Sequence, residues 1–182
     1  MDTFDKNASQ TAVAELRLEP ANAELVRYWF ELWPGANLPD RAAFQPAKFK
    51  SILPNIVLFS VVPDEGVTVR LAGTRFNQLM GEEMTGKDWL AEGSPDRRAQ
   101  RFANFCAIAR GAVMLGHRRL VAEDGDDVIS QEIVLPFAAG ADGVHPVLGH
   151  SHLSRDDFLR VKKPQRGSGD GQDYQLLELP RI

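Results

Sequence analysis

The stretch VTVRLAGTRFNQLMGEEMTGKDW, residues 67–89, passes from one hydrophobic periodicity to another without a linker. Apolar and polar residues alternate over residues 67–71, which predicts a strand with one buried face. Apolar residues then recur over residues 76–80 at the i, i+3, i+4 spacing of one helical face. Gly81 and Gly86 follow, and glycine permits backbone turns that other residues resist. The chain must therefore turn directly from a strand into a short helix and end that helix early.

The residues before this stretch predict two helices and a strand. An aromatic helix over residues 21–33 ends at Pro34-Gly35, and Pro46 begins a short helix within QPAKFKSILP. NIVLFSVV is rich in β-branched residues, which favour strands. The loop DEG joins this strand to residues 67–71, and the two are expected to form a hairpin.

The segment SPDRRAQRFANFCAIARG, residues 94–111, predicts the longest helix. Ser94 can accept a backbone hydrogen bond as the N-cap, Pro95 suits the first turn, and Gly111 can close the helix. Helical periodicity gives this helix an apolar side made of Ala99, Phe102, Cys106 and Ala109. The solvent side carries the basic residues Arg97, Arg98 and Arg101. We interpret this basic patch as a solvated face, with an anionic ligand or acidic partner as the alternative.

Three further extended stretches, residues 113–122, 128–137 and 144–153, complete the pattern. The linkers EDGDD and AAGADG are too short for helical crossovers, so we expect these strands to pair in antiparallel fashion. Together with the two earlier strands they predict an α+β fold. Its expected form is a five-stranded antiparallel sheet with helices on one face, preceded by an N-terminal helix.

The two ends of the chain are predicted to be flexible. Residues 1–18 are polar and aperiodic, and residues 161–182 begin with the linker-like KKPQRGSGDGQD. The last piece, YQLLELPRI, is apolar enough to dock against the rest of the protein. Residues 19–160 are therefore expected to form a single domain, with its core at residues 55–155.

Composition and charge exclude several classes of protein. The chain has 182 residues, of which 43% are hydrophobic and 25% charged, as in one ordinary globular domain. The formal net charge of −4 provides no broad basic surface for nucleic acid. The single cysteine excludes an intramolecular disulfide, and the chain shows neither an export signal nor an apolar run of ~20 residues. We expect a cytoplasmic protein that binds neither nucleic acid nor a membrane.

Several short motifs follow one another in an order typical of a known family. In chain order they are Tyr28-Trp29, Pro39, Arg41, Pro46, Leu53-Pro54, Arg70-Leu71-Ala72-Gly73-Thr74, Gly81, Thr85 and Gly86. Over residues 21–153 the chain resembles the PAS domain family. More narrowly, it resembles a bacterial branch of compact, stand-alone PAS proteins with an aromatic N-terminal helix. Val69 and Trp33 depart from that branch, which often has an aromatic and a basic residue at these places.

The resemblance implies short, irregular helices that arch over the sheet and leave a ligand-binding cavity. The candidate pocket residues are Phe76, Leu79, Met80, Trp89, Phe102 and Cys106 above, with Ile133 and Leu135 on the sheet below. The alternative is that these side chains pack against one another and leave a filled core, because protein interiors approach crystal-like packing.

The first helix carries more aromatic residues than one narrow stripe can bury, namely Tyr28, Trp29, Phe30 and Trp33. Either this helix covers the open face of the sheet, or it contributes to a dimer surface. PAS relatives commonly pair through such flanking helices. The resemblance therefore implies a homodimer, with Tyr28, Trp29 and Trp33 as the dimer or partner surface.

Cofactor chemistry is considered at one cysteine and three histidines. Flavin photochemistry in PAS relatives needs a cysteine in a polar loop, whereas Cys106 lies in the helical ANFCAIAR and is expected to be a small buried hydrophobe. Haem relatives commonly use a histidine from the helices over the sheet, and residues 73–110 contain none. We therefore expect neither flavin nor haem. His150 and His152 share one strand face, with His117 on another strand, so the three are candidate metal ligands or, as we prefer, solvated or interfacial imidazoles.

These features predict a non-enzymatic sensory or regulatory module that binds a small ligand, a protein partner or both, and signals through dimer or helix contacts. One alternative is a pure interaction domain with a filled core, whose partner binds around Trp29 or YQLLELPRI. The other is an enzyme that holds a metal on its histidines. No carboxylate pairs with those histidines at a recognisable catalytic spacing, so we expect no enzyme.

Overall fold

An antiparallel sheet of six strands forms the centre of the computed structural model, which describes residues 3–164 and 172–182. The strands are β1 (Ile56–Val62), β2 (Gly66–Ala72), β3 (Ala112–Val121), β4 (Asp127–Pro136), β5 (His145–His152) and β6 (Gln172–Glu178). They lie side by side in the order β2-β1-β5-β4-β3-β6. The predicted α+β antiparallel fold is confirmed, and the sheet has one strand more than predicted.

Helices precede, interrupt and follow the strands. The α-helices described are α1 (Lys6–Ala14), α2 (Pro20–Glu31), α3 (Thr74–Met80), α4 (Pro95–Ala109) and α5 (Arg155–Arg160). Short 3-10 helices lie at Arg41–Ala43, Pro46–Phe49 and Leu53–Asn55, where one short helix was predicted. The closely spaced prolines explain the difference, because proline lacks the N–H that a longer helix needs. None of the described helices has both the length and the apolar character that crossing a bilayer requires.

The first aromatic helix, α2, packs on one face of the sheet, called here the back face. The Trp29 side chain is completely buried, and its Nε1–H donates to the carbonyl oxygen of Pro136 at 2.8 Å. Tyr28 and Trp33 are buried too, and the Trp29 and Trp33 rings meet edge to face with centroids 4.9 Å apart. The helix was expected either to cover the open face of the sheet or to contribute to a dimer surface. In the structure it covers the sheet. The prediction that Tyr28, Trp29 and Trp33 form an exposed dimer or partner surface is therefore wrong, because these side chains lie inside the chain's own core.

Both ends of the chain are folded where they are described. Residues 6–14 form α1 instead of a flexible N-terminus, and Phe4 and Val13 are buried in the core of the back face. The C-terminal piece forms β6, which pairs with β3, and Leu179 after it is buried. The Asp5 amide donates to the carbonyl oxygen of Pro180 at 2.9 Å, so the two ends are joined. The predicted flexible tail is thus corrected for residues 172–182, and the linker at residues 165–171 lies outside the described residues.

The other face of the sheet, called the front face, is covered by α3, α4 and the irregular connection between them. Gly73 is the N-cap of α3, and a Cβ atom on it would lie 2.3 Å from the carbonyl oxygen of Pro54. Only glycine therefore lets the chain turn from β2 into α3 over this backbone. Gly81 then ends α3 in the left-handed conformation, with φ of 75°.

The connection after α3 is irregular, as predicted, yet it is fixed to the edge of β2. The Gly86 amide donates to the Val69 carbonyl oxygen at 2.7 Å, and the Trp89 amide donates to the Val67 carbonyl oxygen at 2.8 Å. In the other direction, the Val69 amide donates to the carbonyl oxygen of Lys87 at 2.9 Å. These hydrogen bonds hold the Trp89 ring over the front face.

Replacing Gly73 with alanine is expected to destabilise the fold by about 1–3 kcal/mol or more, because the added Cβ meets backbone that cannot move away. Gly66→Ala is the matched control, since a Cβ there meets nothing within 4 Å and should change stability by less than about 0.5 kcal/mol. Urea unfolding of the two variants measures the difference. Equal stability of Gly73→Ala and Gly66→Ala would contradict this explanation of the turn.

Candidate functional site

The front face of the sheet forms the floor of the candidate site. Strand register aligns one row of mainly apolar residues across five strands: Val57, Gly149, Val134, Met114 and Leu176. The next row on the same face is more polar and comprises Ser151, Glu132, Gly116 and Tyr174. The floor therefore changes from apolar to polar along the strands.

Two glycines, Gly116 and Gly149, place no side chain on this floor. A Cβ on Gly149 would lie 2.9 Å from a methyl carbon of Val57, so the neighbouring side chains already use that space. A Cβ on Gly116 would meet its nearest atom at 3.8 Å, an ordinary contact distance, so the space above Gly116 is open. The floor is therefore lowest beside β3.

A cavity of about 510 Å³ lies between this floor and the helices. Its apolar walls comprise Val57, Phe59, Phe76, Met80, Met84, Trp89, Phe105, Met114 and Val134. The aromatic rings contact one another, with the Trp89 ring centroid 5.3 Å from that of Phe59 and 5.6 Å from that of Phe76. One end of the cavity is thus an aromatic and aliphatic pocket.

The opposite end of the cavity is polar. Its polar side chains include Glu92, Arg97, Gln100, Arg101, Asn104, Arg118, Glu132, Ser151 and Tyr174, and the lining residues Lys87 and Asp88 directly precede Trp89 in the chain. Arg118 and Glu132 form an ion pair at 3.9 Å, with side chains only 11% and 17% exposed. Glu92, Arg97 and Gln100 are exposed to solvent, so this end is the mouth of the cavity.

The helix α4 is rotated relative to its predicted orientation. It begins as expected, since the Ser94 hydroxyl accepts from the Arg97 amide. Its buried side chains are Asn104, Phe105, Ile108 and Ala109, whereas Phe102 and Cys106 are only half-buried. Arg97 and Arg101 line the cavity mouth instead of a purely solvated face. The predicted apolar side therefore shares only Ala109 with the buried side.

The structure brings together half of the predicted pocket residues. Those that line the cavity are Phe76, Met80, Trp89 and Ile133, although the Ile133 side chain belongs to the core of the back face. Those that do not line it are Leu79, Phe102, Cys106 and Leu135. Leu79 packs with Leu153 and Phe158 in a separate cluster, and Leu135 points to the back face because side chains alternate along β4.

Comparison with known protein families identifies the fold. A family model described as PAS domain matches residues 17–151. The chain belongs to the PAS domain family. The assignment to a bacterial, aromatic-helix branch of this family stays a prediction.

Solved structures that resemble part of this chain include light-oxygen-voltage (LOV) domains. The dark structure of the blue-light photoreceptor Aureochrome1 LOV is 18% identical over 64% of this chain and 88% of that chain, with a TM-score of 0.40. A fungal LOV domain photoreceptor is 16% identical over 73% of this chain and 92% of that chain, with a TM-score of 0.37. The VqmA dimer of Vibrio cholerae is 14% identical over 56% of this chain and 49% of that chain, with a TM-score of 0.37. Similarities to solved structures this low say nothing about the ligand or partner of this chain. A search of curated proteins found no match.

In this PAS domain the histidines predicted as metal candidates lie toward the back face. His150 is buried, and its Nδ1 lies 2.6 Å from the side-chain oxygen of Asn22 on α2. Because an amide oxygen only accepts, His150 donates from Nδ1. The Asn22 amide donates to the side-chain oxygen of Gln131 at 2.9 Å, and Gln131 lies 3.4 Å from His117. His152 lies 3.8 Å from Glu19.

These polar groups connect α2 to the sheet. Within residues 3–164 and 172–182, no group of three or more histidine, cysteine, aspartate or glutamate side chains is arranged to hold a metal ion. The His150–Asn22–Gln131 hydrogen bonds instead satisfy polar atoms buried between helix and strands. Of the interpretations of the three histidines, the interfacial one fits His150 best, because this side chain lies between α2 and the sheet.

Cys106 is placed away from the cavity lining of this PAS domain. It is half-buried on α4, and burial raises the pKa of its thiol. A thiol held protonated is a poor nucleophile. The expectation that the domain binds neither flavin nor haem stays a prediction.

Sequence reasoning missed several polar residues of the cavity, chiefly Asn104, Arg118, Glu132 and Tyr174, and gave Arg101 an anionic ligand only as the alternative to a solvated face. A signal for two of them was present. Arg118 and Glu132 each lie in a strand at positions that alternation turns toward the front face, where a filled core would place apolar residues. Tyr174 could not be found in this way because its strand was predicted to be a flexible tail.

The free energy of unfolding is expected to decrease as the pH falls from 6.5 toward 4. Burial, with the nearby His152 imidazole adding to it, lowers the pKa of His150 from 6.5 to about 4. Between these values the unfolded chain binds a proton that the folded chain does not, which costs up to about 1.4 kcal/mol per pH unit. Denaturant unfolding at a series of pH values measures this slope.

The variant His150→Asn should flatten that slope, and His117→Asn is the control because His117 is exposed. If the wild-type protein and His150→Asn lose stability equally between these pH values, the burial of His150 between α2 and the sheet is not the cause.

Proposed function

We propose that this PAS domain is a non-enzymatic sensory or regulatory module that binds a small molecule beneath α3 and α4. The observation that carries the proposal is the cavity of about 510 Å³, with an aromatic inner end and a polar mouth. Ligand pockets in proteins commonly enclose about 300–1,000 Å³ and combine apolar walls with a few polar groups. The same observation disfavours the alternative of a pure interaction domain with a filled core.

Energetics also favour an occupied cavity. A dry apolar void of this volume would cost on the order of 10 kcal/mol, which is comparable to the total stability of a domain. Water can occupy the polar mouth, where it finds hydrogen-bond partners, but it gains little at the aromatic end. A small molecule that covers Phe59, Phe76 and Trp89 would gain the hydrophobic free energy that water cannot.

The route from ligand to output is proposed to run through β6. This edge strand contributes Tyr174 to the cavity and pairs with β3 from Ala112 to Arg118. Just beyond β6, Pro180 accepts a hydrogen bond from Asp5, next to α1. A ligand that binds more tightly to one packing of β6 shifts the population toward that packing and so alters both ends of the chain. A ligand without such a preference transmits nothing.

A non-enzymatic role is supported by the ion pairs of two carboxylates that line the cavity. Glu132 pairs with Arg118, and Glu82 pairs with Lys87. Each carboxylate therefore faces a cation and not a nucleophile that it could activate. The partner that reads the signal is proposed to be a protein, because the net charge of −4 gives little attraction to nucleic acid.

Homodimerisation remains part of the proposal, although its surface cannot be the buried aromatic side of α2. Light scattering across micromolar concentrations should give twice the mass of one chain. A monomeric mass throughout that range would remove the dimer from the proposal and leave ligand binding untouched.

The variant Gly116→Leu is expected to fill the cavity without disturbing the sheet, because a Cβ at this position has ordinary contact distances. A ligand present at 100 times its dissociation constant stabilises the wild-type domain by about 2.7 kcal/mol, and the variant should lose this gain. Native mass spectrometry of protein purified from its host, followed by a thermal-shift screen of metabolites, measures binding. Gly66→Leu is the matched control, since Gly66 lies outside the cavity lining.

The expected result is a bound molecule, or stabilisation by a metabolite, in the wild-type protein and Gly66→Leu but not in Gly116→Leu. Absence of both signals in the wild-type protein, or equal signals in Gly116→Leu, would contradict the proposal of a ligand site in this cavity.

A further inference from the structure

Arg101 on α4 lines the cavity and has one unfilled hydrogen-bond donor. One of its terminal nitrogens, Nη2, donates to the carbonyl oxygen of Glu92. Its Nε is buried and has no hydrogen-bond partner within the described ranges 3–164 and 172–182. Burial also lowers the pKa of this guanidinium. A buried N–H without an acceptor is unfavourable, so the site favours a ligand that supplies one.

Several of the other charged groups that line the cavity already have partners within the chain, whereas the Arg101 Nε has none. Lys87 pairs with Glu82, and Arg118 pairs with Glu132. Asp88 accepts from the Leu90 amide at 2.8 Å.

The charge balance limits the charge of the ligand. Four acidic side chains line the cavity, as do four basic ones: Glu82, Asp88, Glu92 and Glu132, with Lys87, Arg97, Arg101 and Arg118. Asp88 and Glu92 lie close enough to interact with Arg101. A single negative charge can share the guanidinium with these carboxylates, whereas a dianion would be repelled by them.

The opposite end of the cavity suits a flat apolar body. Phe59 contacts Phe105 edge to face, with ring centroids 4.9 Å apart, and the Trp89 ring contacts both Phe59 and Phe76. Aromatic rings favour offset-stacked or edge-to-face neighbours. An aromatic ring system therefore fits this end better than a flexible polar chain.

We propose that the ligand class of this cavity is an aromatic monocarboxylate, with its rings against Trp89 and its carboxylate accepting from Arg101. This proposal rests on the proposed function, because it names the ligand for the same cavity. A guanidinium can hold a carboxylate with two parallel hydrogen bonds, which lysine cannot reproduce.

Isothermal titration calorimetry with naphthaleneacetate, its neutral amide and naphthyl phosphate tests the proposal on the full chain. The carboxylate should bind about 10-fold more tightly than the amide, as expected for a charge-assisted hydrogen bond. The phosphate dianion should bind more weakly than the carboxylate. Arg101→Gln and Arg101→Lys should each weaken carboxylate binding about 10-fold and leave amide binding within about 2-fold.

Arg98→Gln is the matched control, because Arg98 is an exposed arginine of the same helix outside the cavity lining. It should leave binding of all three probes unchanged. Retained amide binding by the Arg101 variants shows that they are folded.

Equal affinity for carboxylate and amide, or an effect of Arg98→Gln as large as that of Arg101→Gln, would overturn the proposal while leaving the cavity as a ligand site. Tighter binding of the phosphate would overturn the limit to one negative charge. If none of the three probes binds, the aromatic carboxylate is wrong, and the Gly116→Leu comparison still decides whether the cavity binds any ligand.

Discussion

The packing of α2 against the back of the sheet is the constraint on which the rest of this PAS domain depends. Trp29 is fully buried there and donates its indole N–H to Pro136, while the Asn22 side-chain oxygen accepts from His150 Nδ1 between helix and strand. This core is contributed mainly by the N-terminal helices, the 3-10 turns and alternate residues of the strands. One face of the sheet is thus sealed by a dense aromatic core that is separate from the residues around the cavity on the other face.

The front face of the sheet carries the cavity. Gly116 leaves the floor low, and the hydrogen bonds from residues 86–89 to β2 hold Trp89 above it. The polar residues at the mouth come from different parts of the chain: Arg101 from α4, Glu132 from β4 and Tyr174 from the C-terminal strand. A ligand in the cavity would therefore contact a covering helix, the sheet and an edge strand at once. Such an arrangement suits a sensor, because binding can change how these elements pack.

Local patterns predicted the fold well, since alternation, caps and glycine breaks are properties of neighbouring residues. The β1–β2 hairpin, the Ser94 cap and the break at Gly81 all follow from them. The orientation of Trp29 could not be predicted in this way, because the same aromatic helix can cover a sheet or a second chain. The rotation of α4 was mispredicted because a cavity turns polar residues such as Arg101 inward. The β6 strand was missed because its pairing with β3 joins residues far apart in the sequence.

The central claim is that the helices of the front face enclose a usable space between Trp89 and Arg101. A crystal structure of protein purified directly from its host, with no ligand added, tests it most directly. We predict that a cavity of about 510 Å³ persists and contains electron density for a small molecule or ordered solvent that reaches Arg101. A structure in which Phe76, Met80 and Phe105 close onto the sheet and leave no space would contradict the claim.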